Sequence, residues 1–473
     1  MAVINGRGIW GVRAFVQTGT WTRPTDWLAL NAPTDNTEQF TGLLAITNDD
    51  SNYVTLMVTS TGNYTVDWGD GTVTTHASST NAEKKYEYSA ISESTLCSRG
   101  YKQVVVKVTG ATITQLHTVR PHTALASATN VLYTWLEYHV NLPNCTLLSL
   151  NRGSISNGAY QTWVEKVTLN KLASNFSNFN YQFAFFYSLQ EVVINATTTN
   201  VTSMTQMFIN CYYLKSVPLF DTSNVVTAND MFNGCYSLET ILSFNFGSVT
   251  NGTAMFYNCY GLTSVPALNF TNATNLNSLF NGCSNLVTIP SITTTKVVNT
   301  YNMFSGCYSL ETVPLFDTST VTSPYSMFSY CYSLKEIPAF DMSQATNFSG
   351  FFESCVSLKT IPLLNTQKVT SWGGAFINCP SLDKLPALDL TAASTITNMF
   401  TGTNGIVEVP FVNIRNSFSF VNMMLSRTAI VDIFNGLASG VTSKIITVSG
   451  NPGYTSLSVS ERAIATNKGW TIA

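Results

Sequence analysis

Eight cysteines, Cys211, Cys235, Cys259, Cys283, Cys307, Cys331, Cys355 and Cys379, recur every 24 residues without a break, and each opens a Cys-x-x-Leu. Self-similarity at a fixed period of this length means stacked supersecondary units, each burying its apolar face only against its neighbours. The chain is therefore predicted to form a solenoid over this stretch. Solenoids offer a long, stiff, repetitive surface and seldom a deep pocket, so the pattern points toward binding or structural work.

Written out, the unit is Met-Phe-x-x-Cys-Tyr-Ser-Leu-x-x-(Ile/Val)-Pro-x-Phe-Asp-Thr-Ser-x-Val-Thr-Ser. A leucine three after each cysteine (Leu214 through Leu382) and a phenylalanine three before it (Phe208 through Phe376) define inward columns. The Ser-Leu-Glu-Thr-Val stretch at 309–313, closed by Pro314, which cannot donate to a ladder, is predicted to be a short strand stacked in register on the next unit. Weaker copies at both ends bring the count to roughly 11 turns and a rod on the order of 50 Å long. The period breaks in the last segment, where a Gly-Asn-Pro-Gly turn at 450–453 and a helix over 458–468, with Ser460 as its cap, read as a lid on the core.

Upstream, residues 53–58, 63–72 and 104–108 alternate apolar and polar types between turn signals, as antiparallel strands do, and Asp70-Gly71 marks a hairpin. The fold class expected is mainly β: an Ig-like β-sandwich followed by a 24-residue-period solenoid with a C-terminal cap. Residues 1–48 read as a docking or assembly region, 49–112 as the sandwich and 113–444 as the solenoid. Within the solenoid, weak repeats at 113–200 and 401–444 flank regular ones at 201–400, and 445–473 is the cap.

The repeat resembles the BspA-like leucine-rich repeats of bacterial and protist surface proteins, in the variant carrying Met-Phe-x-x-Cys-x-x-Leu and Phe-Asp-Thr-Ser-x-Val-Thr. The Val-Asp-Trp-Gly-Asp-Gly-Thr run at 66–72, with Tyr86 and the late Val-x-Val strand, resembles a polycystic-kidney-disease (PKD) type sandwich. Together these resemblances imply an adhesive or ligand-binding solenoid and an adhesive or spacer module. The order of sandwich and repeats is similar to that of bacteriophage fibre or head-decoration proteins.

Composition narrows the class. Only 10% of residues are charged and the net charge is -3, with no basic run, which argues against nucleic acid or an anionic membrane as partner. No basic start with an apolar core and no run of 18 apolar residues is present, so neither a leader nor a membrane-spanning helix is expected. That favours assembly in a host cytoplasm onto a virion surface over export to a bacterial cell surface. Partners expected are other virion proteins at one end and a host surface glycan or protein at the other, with homo-oligomerisation compatible with both.

Three sets of residues are candidates. Tyr212, Tyr236, Tyr260, Tyr308 and Tyr332 follow the cysteines, with Ser284, Val356 and Pro380 interrupting. They form either an outward stripe able to stack on sugars or proteins, or a self-stacked ladder. Trp10, Arg13, Trp21, Arg23 and Trp27 have the composition of an interface, or else pack as an extra strand and loop on the sandwich. The cysteine column reads as reduced, buried packing, because the 24-residue interval matches no zinc-site spacing and the four histidines all lie upstream.

No metal and no cofactor is expected. The Asp or Asn column from Asp221 to Asp389 suits turns better than hydrolysis, since a repeated column gives each acid the same environment. With no nucleophile elbow, phosphate loop or dinucleotide turn, the chain reads as a non-enzymatic virion surface protein, a tail fibre or head decoration. The alternatives are a bacterial surface adhesin and a polysaccharide depolymerase.

Overall fold

The computed structural model describes residues 21–31, 33, 35–48, 52–118, 122, 134–150 and 163–473, and about 6% of these described residues are helix. Eleven strands build its first part: β1 (Gln39–Ile46), β2 (Tyr53–Ser60), β3 (Tyr64–Asp67), β4 (Val73–His76), β5 (Asn81–Lys85), β6 (Lys102–Gly110), β7 (Ile113–His117), β8 (Trp135–Asn141), β9 (Leu147–Ser149), β10 (Lys166–Lys171) and β11 (Glu191–Ile194). They form a seven-stranded sheet in the order β11-β10-β8-β1-β6-β3-β4 and a four-stranded sheet in the order β5-β2-β7-β9. The predicted hairpin is present as β3 and β4, joined by residues 68–72, where Gly69 and Gly71 take positive φ.

The two sheets lead directly into the solenoid. In the larger sheet β1 runs antiparallel to β6 and β8, after which β10 pairs parallel to β8 and β11 parallel to β10. In the smaller sheet β9 pairs parallel to β7. The first coil is thus hydrogen-bonded to the edges of both sheets, which cover what would otherwise be an exposed strand edge at the start of the stack.

Two expected boundaries move as a result. Strand β1, buried along its whole length, sits inside the larger sheet although it falls within the 1–48 region assigned to docking. Strands β7 and β8 are antiparallel partners of β2 and β1, although they fall beyond residue 112, on the solenoid side. Strand β1 is buried on both faces and its apolar run over 43–46 lacks polar alternation, whereas β8 does alternate from Leu136 to Asn141 and is set apart by its pairing back onto β1.

The solenoid runs to about 12 turns. Coils stack in register 24 residues apart, with a bridge ladder through Ser203, Thr227, Asn251, Asn275, Asn299 and Ser323. Short parallel pairs occur where the chain is most extended, as between β12 (Leu268–Phe270) and β13 (Ile292–Thr294). The Ser-Leu-Glu-Thr-Val stretch keeps the predicted register but not the predicted strand: two N–H groups link it to the coil before, Ser309 to Ser284 O and Glu311 to Val287 O at 3.1 Å each, and Ser333 and Lys335 repeat the pair one coil on. Pro314, two residues beyond Thr312, removes the donor that would extend the pairing.

The Met-Phe-x-x-Cys stretch works differently. Alternate N–H groups reach forward to the next coil, as Phe208 to Met231 O at 2.8 Å and Phe232 to Met255 O at 2.9 Å. Two residues per coil, four apart, take positive φ, and the one before each cysteine is Asn210, Gly234, Asn258, Gly282 or Gly306 in successive coils. Asparagine and glycine visit this left-handed region at least cost.

One apolar core runs from Phe40 in the first sheet to Trp470 near the C-terminus. Within it the phenylalanine column forms offset parallel stacks, with Phe208–Phe232 and Phe232–Phe256 centroids each 5.5 Å apart. The far end is closed by β14 (Phe418–Ser419), α1 (Arg427–Gly436), β15 (Lys444–Thr447), α2 (Val459–Thr466) and β16 (Trp470–Ile472). Helix α2 starts at a capping box on Ser458, whose hydroxyl accepts from Glu461 N–H while Glu461 reaches back, so the cap lies two residues before the predicted Ser460. Lys468 donates to Phe434 O, Asn435 O and Leu437 O at the end of α1, and Trp470 is buried beside it. Among the described residues, no helix is long and apolar enough to cross a membrane.

Candidate binding site: the tyrosine ladder

The residue after each cysteine leaves the core and meets its counterpart one coil away. Tyr212 and Tyr236 stack with centroids 4.6 Å apart and planes at 3°, Tyr236 and Tyr260 at 4.9 Å, and Tyr308 and Tyr332 at 4.9 Å. Tyr187 extends the ladder upstream, 4.8 Å from Tyr212. It was not among the expected residues because Phe186 stands where the cysteine would be; the surviving Tyr-Ser-Leu was the signal.

The rings stack on one another, and their outer edges remain exposed, at 38% for Tyr236 and 47% for Tyr308. Most ring faces are covered by the next ring, so the stripe presents edges and hydroxyls. Burial among its neighbours pushes the Tyr212 phenol up to about 12, so the hydroxyl is neutral and able to donate at ordinary pH. Tyr330 adds an edge-on contact to Tyr332 and donates to Glu353 at 2.9 Å.

Beneath the ladder, the thiols point inward. Each of the eight column cysteines is buried and donates to the carbonyl of a phenylalanine in the preceding coil, as Cys283 to Phe256 O at 3.0 Å and Cys307 to Phe280 O at 3.1 Å. All ten cysteines of the chain are unbridged, and burial raises the thiol pKa throughout the column. Thiolate chemistry is correspondingly suppressed.

The Asp and Asn column takes up turns. Asp221 accepts from Ser223 N–H at 2.8 Å, Asp317 from Ser319 N–H at 2.9 Å and Asp389 from Thr391 N–H at 2.8 Å. Those bonds hold the Asp221 and Asp317 carboxyls below the usual range. An open groove of about 700 Å³ lies near the C-terminal end, lined by Met399, Phe400, Asn404, Phe418 and Met423 among others, with no carboxylate, histidine or thiol in its wall.

The expected assembly residues divide. Trp10 and Arg13 lie outside the described residues. Trp27 is buried, in a small second core with Leu43, Tyr101 and Leu136, and its indole N–H donates to the Tyr101 hydroxyl at 3.2 Å. Arg23 bonds Glu137 at 2.7 Å and the carbonyls of Trp27 and Leu28, while Trp21 packs edge-on against Trp27 and donates to Glu165 at 2.9 Å. Both Arg23 and Arg99 lie over the Trp27 ring. Trp21, Arg23 and Trp27 all make internal contacts.

A family profile described as DUF285, a Mycoplasma protein of unknown function, matches residues 171–289 and again 274–387. The fold is similar to that of a leucine-rich cell surface protein from Faecalibacterium prausnitzii, at 18% identity and a TM-score of 0.29, over 64% of this chain and 90% of that one. It is also similar to that of a leucine-rich-repeat protein from Eubacterium ventriosum, at 15% identity and a TM-score of 0.31, over 60% of this chain and 93% of that one. Comparison with curated proteins gives no match. Neither a PKD-type domain nor a bacteriophage origin gains support from these comparisons.

Proposed function

We propose that the chain is a non-enzymatic binding protein displayed on a bacterial cell surface, which uses the exposed edge of its tyrosine ladder to hold a glycan or a protein. The observation that carries this reading is the ladder itself. Six tyrosines across seven coils line up on a rigid scaffold, four of them, Tyr236, Tyr260, Tyr308 and Tyr332, with their outer edges in solvent, and tyrosine supplies apolar area and a hydroxyl at little cost in conformational entropy. The low charge of the chain suits a neutral ligand held by stacking and hydrogen bonds.

The non-enzymatic part is supported by the aspartate column, whose members are each committed to the same turn and so offer no pair of acids in contrasting environments. The adhesin setting takes precedence over the virion setting expected from sequence, for which neither the family match nor the fold likenesses offer support. Immunogold labelling of intact source cells and of particles purified from the same culture tests the setting. Label on cell envelopes is the expected result; label confined to particles would replace the adhesin with a virion fibre or decoration protein.

A further inference from the structure

The ladder has one internal gap. At position 284 the repeat places serine where the flanking coils carry Tyr260 and Tyr308, yet the backbone passes through without a break. Ser284 N–H donates to Gly282 O at 2.7 Å, as Tyr236 does to Gly234 O and Tyr260 to Asn258 O at 2.9 Å each. Ser309 N–H then donates to Ser284 O at 3.1 Å, as Ser237 does to Tyr212 O and Ser333 to Tyr308 O. Cys283 beneath keeps its bond to Phe256 O. The side chain at 284 therefore starts where its tyrosine neighbours start, and only the ring is missing.

Two faces are left open as a consequence. Among the described residues, Tyr260 stacks on Tyr236 alone and Tyr308 on Tyr332 alone. Tyr260 and Tyr308 are 40% and 47% exposed, against 38% for Tyr236, which has a ring on either side. Two coil spacings separate them, roughly 9 to 10 Å between ring planes. The result is a slot one ring wide, with aromatic walls, a short hydroxyl-bearing floor and phenolic hydroxyls at its rim.

We propose that this slot binds one neutral pyranose residue of a surface glycan, sandwiched between Tyr260 and Tyr308 over Ser284. The proposal rests on the tyrosine-edge reading above and gives it a place and a ligand class. A pyranose chair, thickened on both faces by axial C–H bonds, fills the slot and brings C–H groups onto both electron-rich ring faces. Its equatorial hydroxyls meet Ser284 and the tyrosine hydroxyls, and no charged side chain stands at these positions to select an acidic sugar.

The test uses the full chain in affinity electrophoresis through gels holding a neutral glucan, xylan, galactan or mannan, with calorimetry on oligosaccharides of whichever retards it. Ser284→Tyr closes the slot with the residue the repeat itself uses, so folding should be retained, and Val356→Tyr adds a ring at the end of the ladder without entering the slot. The expected result is retardation by at least one neutral polysaccharide, weakened at least tenfold by Ser284→Tyr and unchanged by Val356→Tyr. Wild-type affinity in Ser284→Tyr, or no binding to any of the four polysaccharides, overturns the proposal. Ser284→Tyr-sensitive binding of a tryptophan-containing peptide in place of the sugars also overturns it, assigning the slot to protein. The triple variant Tyr212→Phe, Tyr236→Phe, Tyr332→Phe separates the two readings. If it loses binding while Ser284→Tyr keeps it, the ladder edge stands and the slot falls; if neither variant changes binding, both fall.

Discussion

The thiol of Cys331 donates to the carbonyl oxygen of Phe304, 3.1 Å away and one coil back, and the same oxygen accepts the N–H of Cys307. This relationship accounts for a column that would otherwise suggest disulfides or metal. What the position needs is a small side chain with a donor at its γ position, pointing at a buried carbonyl. Thr403 makes the point, because it stands one period after Cys379 and its hydroxyl donates to Phe376 O in the same manner.

The near-isosteric pair Cys331→Thr and Cys331→Val therefore reads out the hydrogen bond. Both fill the space, but only threonine donates, so valine should be the less stable of the two by about 0.5 to 1 kcal/mol. The difference is modest because the carbonyl keeps its backbone partner. Urea midpoints of the two variants check it, and equal midpoints would show that the thiol contributes volume alone.

Alkaline pH should weaken the fold. Burial pushes the thiols of Cys145 and Cys379 up to about 12 from 9.0, and the phenols of Tyr64 and Tyr212 up to about 12 from 10.0. A group whose folded pKa lies above its unfolded value stabilises fully below the unfolded value and loses that contribution as pH rises through the folded one. Stability should hold up to about pH 9 and decline from there to 12. Urea titrations at pH 7.5, 9 and 10.5 measure this; a flat midpoint across the three would contradict the burial of these groups.

How much of this was legible beforehand depends on whether a residue's role repeats. The cysteine, leucine and phenylalanine columns and the Asx turn at Asp317 are written many times over, and each stands in the structure as the period implied. Tyr187 escaped because Phe186 replaces the cysteine in a degenerate coil. The fusion of sandwich and solenoid through β8 and β10 escaped because a switch from antiparallel to parallel pairing leaves no mark in the residue types of the strands that make it. The gap at Ser284 was visible as an interruption, but only stacking geometry turns an interruption into a slot.

The left-handed positions offer a test of backbone strain separate from packing. Ser278 sits at φ 55, and Gly306 at φ 72 has nothing closer than 3.4 Å to an added Cβ, whereas at Gly234 that atom would lie 2.2 Å from Asn210 Oδ1. Ser278→Gly should therefore stabilise by about 0.5 kcal/mol, Gly306→Ala should cost about 1 kcal/mol from strain alone, and Gly234→Ala about 2 kcal/mol or more. Thermal melts rank the three. A Gly306→Ala as damaging as Gly234→Ala would mean that the coils pack more tightly there than the distances indicate.

Trp27 and Arg23 decide what the N-terminal segment is for. Were it a docking face, truncating either residue would spare the fold and abolish attachment. The structure instead buries Trp27 to 4% exposure with two guanidinium groups over its ring and sets Arg23 against Glu137, whose side chain is 8% exposed. Trp27→Ala should then cost about 3 kcal/mol of stability from lost packing. Arg23→Met should cost about 2 kcal/mol by leaving Glu137 buried without its partner, a loss that Glu137→Met added to it should partly restore. Chemical denaturation of the three variants gives the answer. Rescue in the double variant identifies an internal ion pair, whereas wild-type stability in all three would return the segment to the role of an interface awaiting a partner.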